Sequence, residues 1–323
     1  VLSGTLPHYP LPQVKNASGY FCTDNMDLLD LFIGMEGTLG IVSDITLRLI
    51  PMPQAIHGLT CFFPTEEAAL TFVQCIRQFN DAAEASSASP LAAIEFVDHQ
   101  AVDLVRRTKT ENDALSTVPH IRPEYHTAVY IELHGESDEA LEQVAMQAMD
   151  TLLAVGGNDE DTWYATTARE LASQKAFRHA VPESVNRLID DRKRLYPALT
   201  KLSTDMSVPP TALEQVMAMY RHGLAEAGLE SVIFGHIGDN HLHVNILPRD
   251  MDDYARGKEL YQTWARKVVE LGGSVSAEHG IGKLKTAMLQ LMYGEQAVDA
   301  MQAVKHIFDQ GYILNVGNLF AKD

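Results

Sequence analysis

The spacing of apolar and polar positions changes several times along the chain, and each change marks an element. Residues 1–25 carry Pro7, Pro10, Pro12, Asn16 and Gly19 and read as loop. A short helical pattern runs from Met26 to Leu31. Three glycines spaced three apart, Gly34, Gly37 and Gly40, then lead into an alternating run from Ile41 to Leu49, which predicts a strand ended by Pro51 and Pro53. Beyond Pro53 the pattern becomes strand followed by helix. Ile56–Phe63 predicts a strand, and Thr65-Glu66-Glu67 opens a helix to about Phe79. A small-residue loop over 82–90 leads to a strand at Ala92–Phe96 and a helix from Asp98, its N-cap, to Arg107. The same unit recurs at Thr127–His134, with a helix capped by Ser137 and stopped by Gly156-Gly157. Ser231–Leu247, with a helix at about 251–271, is a third variation.

The stretch from Thr167 to Leu195 reads as mostly helical and interrupted at Pro182, because proline cannot donate its backbone N–H. Lys175, Arg178, Arg187, Arg192, Lys193 and Arg194 make it the most basic part of the chain, and on composition alone they read as a solvated helix face. Thr204–Pro209 reads as a short strand and turn. Thr211 and Glu214 have the spacing of a capping box for a helix to Ala227. Lys283–Tyr293 and Glu295–Phe308 predict the last helices, and Ile313–Phe320 an extended tail. Together these elements predict an α+β fold, an antiparallel sheet with flanking helices gathered on one face.

One strand pair carries unusual chemistry. The segment Gly235-His236-Ile237-Gly238-Asp239-Asn240-His241-Leu242-His243-Val244-Asn245 places three histidines and an asparagine in a hairpin pattern. With Asp239 and Asn240 at the two loop positions, His236 lies opposite His243, with Cβ atoms about 4.5–5.5 Å apart. Two imidazoles at that separation can share a metal ion. Alternation puts His241, His243 and Asn245 on one face. Ser276-Ala277-Glu278-His279-Gly280-Ile281-Gly282 could complete the site. Solvated loop histidines fit this stretch as well, and the glycine-rich turn at 34–40 suits either a phosphate cradle or a plain helix-to-strand turn.

Composition narrows the classes. The chain has 323 residues and a net charge of −18, with 43 acidic against 25 basic side chains, which argues against a nucleic-acid partner and against a polybasic membrane patch. Cys22, Cys61 and Cys75 are too few for a disulfide framework or an iron–sulfur ligand set, and a cytoplasmic setting is expected. The chain opens at Val1 without methionine and reads as trimmed, so upstream sequence is expected.

Four motifs taken together, Gly34-Met35-Glu36-Gly37-Thr38-Leu39-Gly40-Ile41, the histidine hairpin, Ser276–Gly282 and Leu314-Asn315-Val316-Gly317-Asn318, resemble the FAD-linked D-2-hydroxyacid dehydrogenases. That group includes D-lactate dehydrogenases, glycolate oxidase flavin subunits and D-2-hydroxyglutarate dehydrogenases, within the vanillyl-alcohol oxidase flavoprotein superfamily. The resemblance implies a C-terminal remnant of the FAD domain at 1–54, a substrate (cap) domain at 55–300 and a returning segment at 301–323, with an N-terminal FAD domain missing. It implies a divalent metal, zinc or manganese, held by His236, His243 and Glu278. It gives His279 as the base that takes the 2-hydroxyl proton while hydride leaves C2 for the flavin, Arg178 as the cation for the substrate carboxylate, and Asn245 as a further polar contact. FAD contacts fall on Asn16, Gly19, Glu36, Gly37, Gly40, Ile41 and Asn315. The implied partners are a small 2-hydroxyacid, D-lactate first, and an electron acceptor (quinone, cytochrome or electron-transfer flavoprotein), with peripheral contact at the inner face of the membrane through that acceptor. Two other readings stay open: a superfamily flavin oxidase acting on alcohols or alkyl ethers, and a non-catalytic metal- or acid-binding remnant.

Overall fold

The computed structural model describes residues 4–83 and 90–321. Eight strands are present among them: β1 (Ala55–Phe63), β2 (Leu91–Val97), β3 (Thr127–Gly135), β4 (Thr162–Ala165), β5 (Leu202–Ser203), β6 (Met206–Ser207), β7 (Ser231–Gly235) and β8 (His241–Ile246). They form a sheet in the order β4-β1-β3-β2-β7-β8-β5, with β6 also on β8, and every pairing is antiparallel. The helices are α1 (Glu66–Ala83), α2 (His99–Glu111), α3 (Asp138–Ala154), α4 (Ala168–Lys193), α5 (Leu213–Ala227), α6 (Met251–Glu270), α7 (Thr286–Tyr293) and α8 (Glu295–Phe308). The α+β expectation holds, but the helices cover both faces. Leu59, Cys61, Val129, Ile131, Ile233 and Val244 point into a core shared with α1, α3, α5 and α6. Phe62, Val97, Ala128 and Val232 point the other way and pack on α2 and α4. Alternation along every strand makes the two faces distinct.

The second face is only partly apolar. Thr60, Glu95, Tyr130, Glu132, His243 and Asn245 have the parity of that face, as the registers Thr60↔Tyr130, Glu95↔Tyr130 and Phe234↔His243 require. This polar half of the sheet lies under α4, and the site is built there.

Several local expectations need correction. The helix α4 runs through Pro182 without a break. The proline costs one backbone bond, while the capping box of Thr167 with Glu170 and the buried Phe177, Ala180, Val181, Val185 and Ile189 hold both halves. The Thr211–Glu214 capping box does not form. A 3₁₀ turn at Pro210–Ala212 feeds into α5, and Glu214 accepts from Gln74 instead. The run at 41–49 forms no strand. Ile41, Ile45, Leu47, Leu49 and Ile50 are each at least 72% exposed, because no sheet edge among the described residues lies beside them. The tail at 313–320 forms turns rather than an extended segment, with Asn315 and Leu319 at positive φ. The loop expected over 82–90 falls mostly on residues outside those described, its first two positions closing α1. Strand β4 had no counterpart in the sequence reading.

Residues near the two ends of the chain meet. Buried Lys305 on α8 donates to the Thr38 and Leu314 carbonyls and to Asp309. Asn315 Nδ2 donates to the Glu36 carbonyl and Asn318 Nδ2 to the Glu36 carboxylate.

Candidate metal and substrate site

The hairpin β7–β8 closes through a 3₁₀ turn at Ile237–Asp239, with Asn240 in the left-handed region, rather than through a two-residue turn. The register Phe234↔His243 therefore places His236 level with His241, not with His243. This corrects the expected pairing, yet the shift is of two residues, so the faces are kept. The rings of His236, His241 and His243 still converge, with centroids 5.3 Å apart for 236–241, 5.8 Å for 236–243 and 4.4 Å for 241–243. One ligand atom from each of them and one from Glu278 all lie within 4.8 Å of one another.

Each imidazole spends one nitrogen on the protein. His243 Nδ1 lies 2.9 Å from the Thr204 carbonyl, which can only accept, so that nitrogen carries the proton and Nε2 keeps a lone pair. His236 Nδ1 lies 2.8 Å from Glu95 Oε1, and its Nε2 faces Glu278 Oε2 at 3.3 Å. His241 Nε2 lies 2.9 Å from Asp205 Oδ1. Burial, the neighbouring His241 and His279 rings and limited help from Thr204 and Asp205 push His243 down to about 4, so it is a neutral donor at neutral pH. The hydrogen bond that His236 donates to Glu95 acts most on it and, with the charges of Glu95 and Glu278, raises its pKa against its burial.

Asp205 organises the second side of the site. Burial alone would raise its pKa, but five donors hold it far below the usual carboxylate range. His241 Nε2 and the Glu278 amide reach Oδ1, while Ser276 Oγ, the His279 amide and Lys285 Nζ reach Oδ2. An ionised carboxylate has about four lone-pair positions, so Asp205 is saturated. It also lies with His243 and His279 in a second converging set, but with its lone pairs spent and an ammonium beside it, it is a poor metal ligand. Its role is to hold the Glu278–His279 loop against β8. The side chain of His279 is 61% exposed, and its ring stacks on His243 at 5.2 Å and 7°.

Arg178 projects from α4 to Glu95, with Nη2 2.6 Å from Oε1. Glu95, nearly buried, thus joins the proposed carboxylate-binding cation to a proposed metal ligand. Asn245 is fully buried on β8 with Nδ2 3.4 Å from the His243 carbonyl, and its Oδ1 has no partner among the described residues. Lys15 pairs with Glu278 and, at 3.2 Å, with Asp239, so an ammonium rests at the acidic pole of the histidine cluster.

The expected flavin contacts divide. The Glu36 carboxylate accepts from the Ile281 and Gly282 amides at 2.7 and 2.8 Å, tying the 36–37 turn, the 280–282 turn and Asn315 together. Asn16 is spent on Ser18, Ser274 and Tyr293. With Gly19 it lines a cleft of about 300 Å³. Gly40 has open space around it and Ile41 is 87% exposed. Wider clefts of about 500 and 550 Å³ open beside α2 and α3, but they lack a convergent histidine set.

Sequence reasoning passed over Glu95, Asp205, Lys15 and Lys285. The signal for Glu95 is one charge inside an apolar strand, Leu91-Ala92-Ala93-Ile94-Glu95-Phe96-Val97, since a buried charge needs partners.

This antiparallel sheet with flanking helices and a converging donor cluster has the architecture of the cap, or substrate-binding, domain of one oxidase family. The family model "FAD linked oxidases, C-terminal domain" matches residues 52–319, and the chain belongs to that family. Among curated relatives it is 27% identical to a probable mitochondrial D-lactate dehydrogenase of Danio rerio, over 94% of this chain and 55% of that protein. It is 29% identical to glycolate oxidase subunit GlcD of Bacillus subtilis, covering 96% and 59%. It is also 29% identical to a D-2-hydroxyglutarate dehydrogenase of Xanthomonas citri pv. viticola, covering 98% and 61%. The chain thus spans little more than half the length of these relatives. Similar solved folds include an alkyldihydroxyacetonephosphate synthase (TM-score 0.56, 14% identity, 91% of this chain and 50% of that one) and a 4-ethylphenol oxidase from Gulosibacter chungangensis (TM-score 0.55, 14% identity, 85% and 56%).

Proposed function

We propose that this chain supplies the substrate and metal site of a FAD-dependent, metal-assisted D-2-hydroxyacid dehydrogenase, with D-lactate the first substrate to test. The observation that carries the reading is the histidine cluster, in which three rings each commit one nitrogen to a protein acceptor and turn the other inward beside a carboxylate. The residues fit a divalent cation: the donors are nitrogen and carboxylate oxygen, and among the described residues a buried imidazole nitrogen of His241 and the buried amide oxygen of Asn245 lack partners. His236, His243 and Glu278 would hold the ion, which when bound supplies Lewis-acid polarisation of a hydroxyl. FAD, held chiefly by a part of the protein outside this chain, would supply the two-electron acceptor.

The remaining work belongs to side chains of this chain. Arg178 has a planar fork of donors, and Glu95 takes only part of it, so a substrate carboxylate can engage the rest bidentately. His279, exposed and stacked on His243, accepts the 2-hydroxyl proton on its ring. Asp205 fixes the backbone amide of His279 and so sets the ring's direction. Asn245 turns its unpartnered amide oxygen toward a substrate hydroxyl or a water. The electron acceptor is a quinone, a cytochrome or an electron-transfer flavoprotein, and the location is cytoplasmic, with peripheral contact at the inner membrane face through that acceptor.

Calorimetric titration of the manganese-loaded chain with D-lactate, L-lactate and 1-propanol tests the reading. Saturable binding of D-lactate is expected, weaker binding of the L-enantiomer and none of the alcohol. Equal heats for acid and alcohol would overturn it.

A further inference from the structure

We propose that His241 is a fourth protein ligand to the cation, through Nδ1, giving this site three imidazoles and one carboxylate. The inference rests on the metal site proposed above and concerns a residue outside the expected ligand set. His241 is fully buried, and its Nδ1 has no hydrogen-bond partner among the described residues. Leaving such a nitrogen unsatisfied forfeits its solvation with nothing in return, so a native structure needs a reason for it.

Asp205 supplies the reason for the tautomer. Its carboxylate, ionised and 2.9 Å from Nε2, accepts a proton held there, which leaves the Nδ1 lone pair bare. A carboxylate behind one imidazole nitrogen with the opposite nitrogen free is the arrangement that orients metal-bound histidines. All three histidines share it in outline, since Glu95 and the Thr204 carbonyl do for His236 and His243 what Asp205 does for His241. His241 also lies within the converging set, its ring nearer to His243 than His236 is. Donors around one such ion at about 2.1 Å lie roughly 3–4 Å apart, so the observed span of up to 4.8 Å closes with small side-chain rotations. Four protein donors complete a tetrahedral shell, and a substrate oxygen can then join only an ion that accepts five or six ligands.

X-ray absorption spectroscopy of the zinc-loaded and manganese-loaded chain counts imidazoles directly. Three are expected in the wild-type chain and two in His241→Ala, with metal affinity in the variant falling by more than the ~10–100-fold that outer partners cost. Two imidazoles in the wild-type chain, or unchanged affinity in a folded His241→Ala, overturns this proposal and leaves the proposed function standing. A wild-type chain that takes up no metal overturns both. The wild-type spectrum decides the question even where the variant does not fold.

Discussion

At the scale of single residues, the site works by giving each donor one fixed direction. Glu95 is the clearest case, because it holds His236 on one side and Arg178 on the other. Glu95→Ala frees the His236 ring and is expected to lower metal affinity about 10–100-fold, whereas Glu95→Gln, which keeps an acceptor, loses less. Competition with a chelating dye measures both, and equal affinities for the two variants would remove Glu95 from the account. Arg178→Lys keeps the charge and loses the planar fork, so D-lactate binding should weaken by roughly 10–100-fold, the worth of one hydrogen bond to a charged group. The same titration with glycerol-like neutral ligands should not change. That His236, His243 and Glu278 converge was legible, because three histidines in one hairpin and a Glu-His pair between small residues suit a common cluster. Asp205 was not, because its role depends on five donors drawn from β8, the 276–279 turn and α7's approach, which no local pattern brings together.

At the scale of elements, the hairpin and its neighbouring turns decide whether donors meet. Gly235 sits at φ +134°, and a Cβ there would lie 2.9 Å from His243 Cδ2. Gly235→Ala should cost about 1–3 kcal/mol in denaturant unfolding and displace His243, so metal affinity should fall with stability. A stable variant with wild-type affinity would show the hairpin to be more pliant than described. Thr167 caps the helix that carries Arg178, and Thr167→Ala should cost about 1 kcal/mol with metal binding intact. The strand–helix units were readable from periodicity and caps, as Asp98 and Ser137 show. The hairpin register was not, because Gly238-Asp239-Asn240 suits both a two-residue turn and the 3₁₀ turn it makes. The alternating run at 41–49 reads as a strand but has no paired edge among the described residues, since a strand needs a neighbour's backbone as well as its own pattern.

At the scale of the whole molecule, one sheet separates two chemistries: an apolar face against α1, α3, α5 and α6, and a face whose polar half lies under α4. That half holds charges that also set the response to acid. Burial would raise Glu132, but hydrogen bonds from Tyr130, Lys175 and His134 lower it to about 2 from an ordinary value of 4.5. The unfolded chain then binds more protons than the native one between those values, so this contribution is full above pH 4.5 and is lost as pH falls toward 2. Denaturant midpoints from pH 6 to 3 should decline, and Glu132→Gln should flatten the decline; an unchanged slope would contradict the assignment. The proposed function requires a single cation bound where β8 meets the 276–282 turn. Elemental analysis after dialysis of the manganese- or zinc-grown chain tests this most directly. One divalent ion per wild-type chain, and none in His243→Ala with Glu278→Gln, is the predicted result; a metal-free wild-type chain, or equal metal in both proteins, would contradict it.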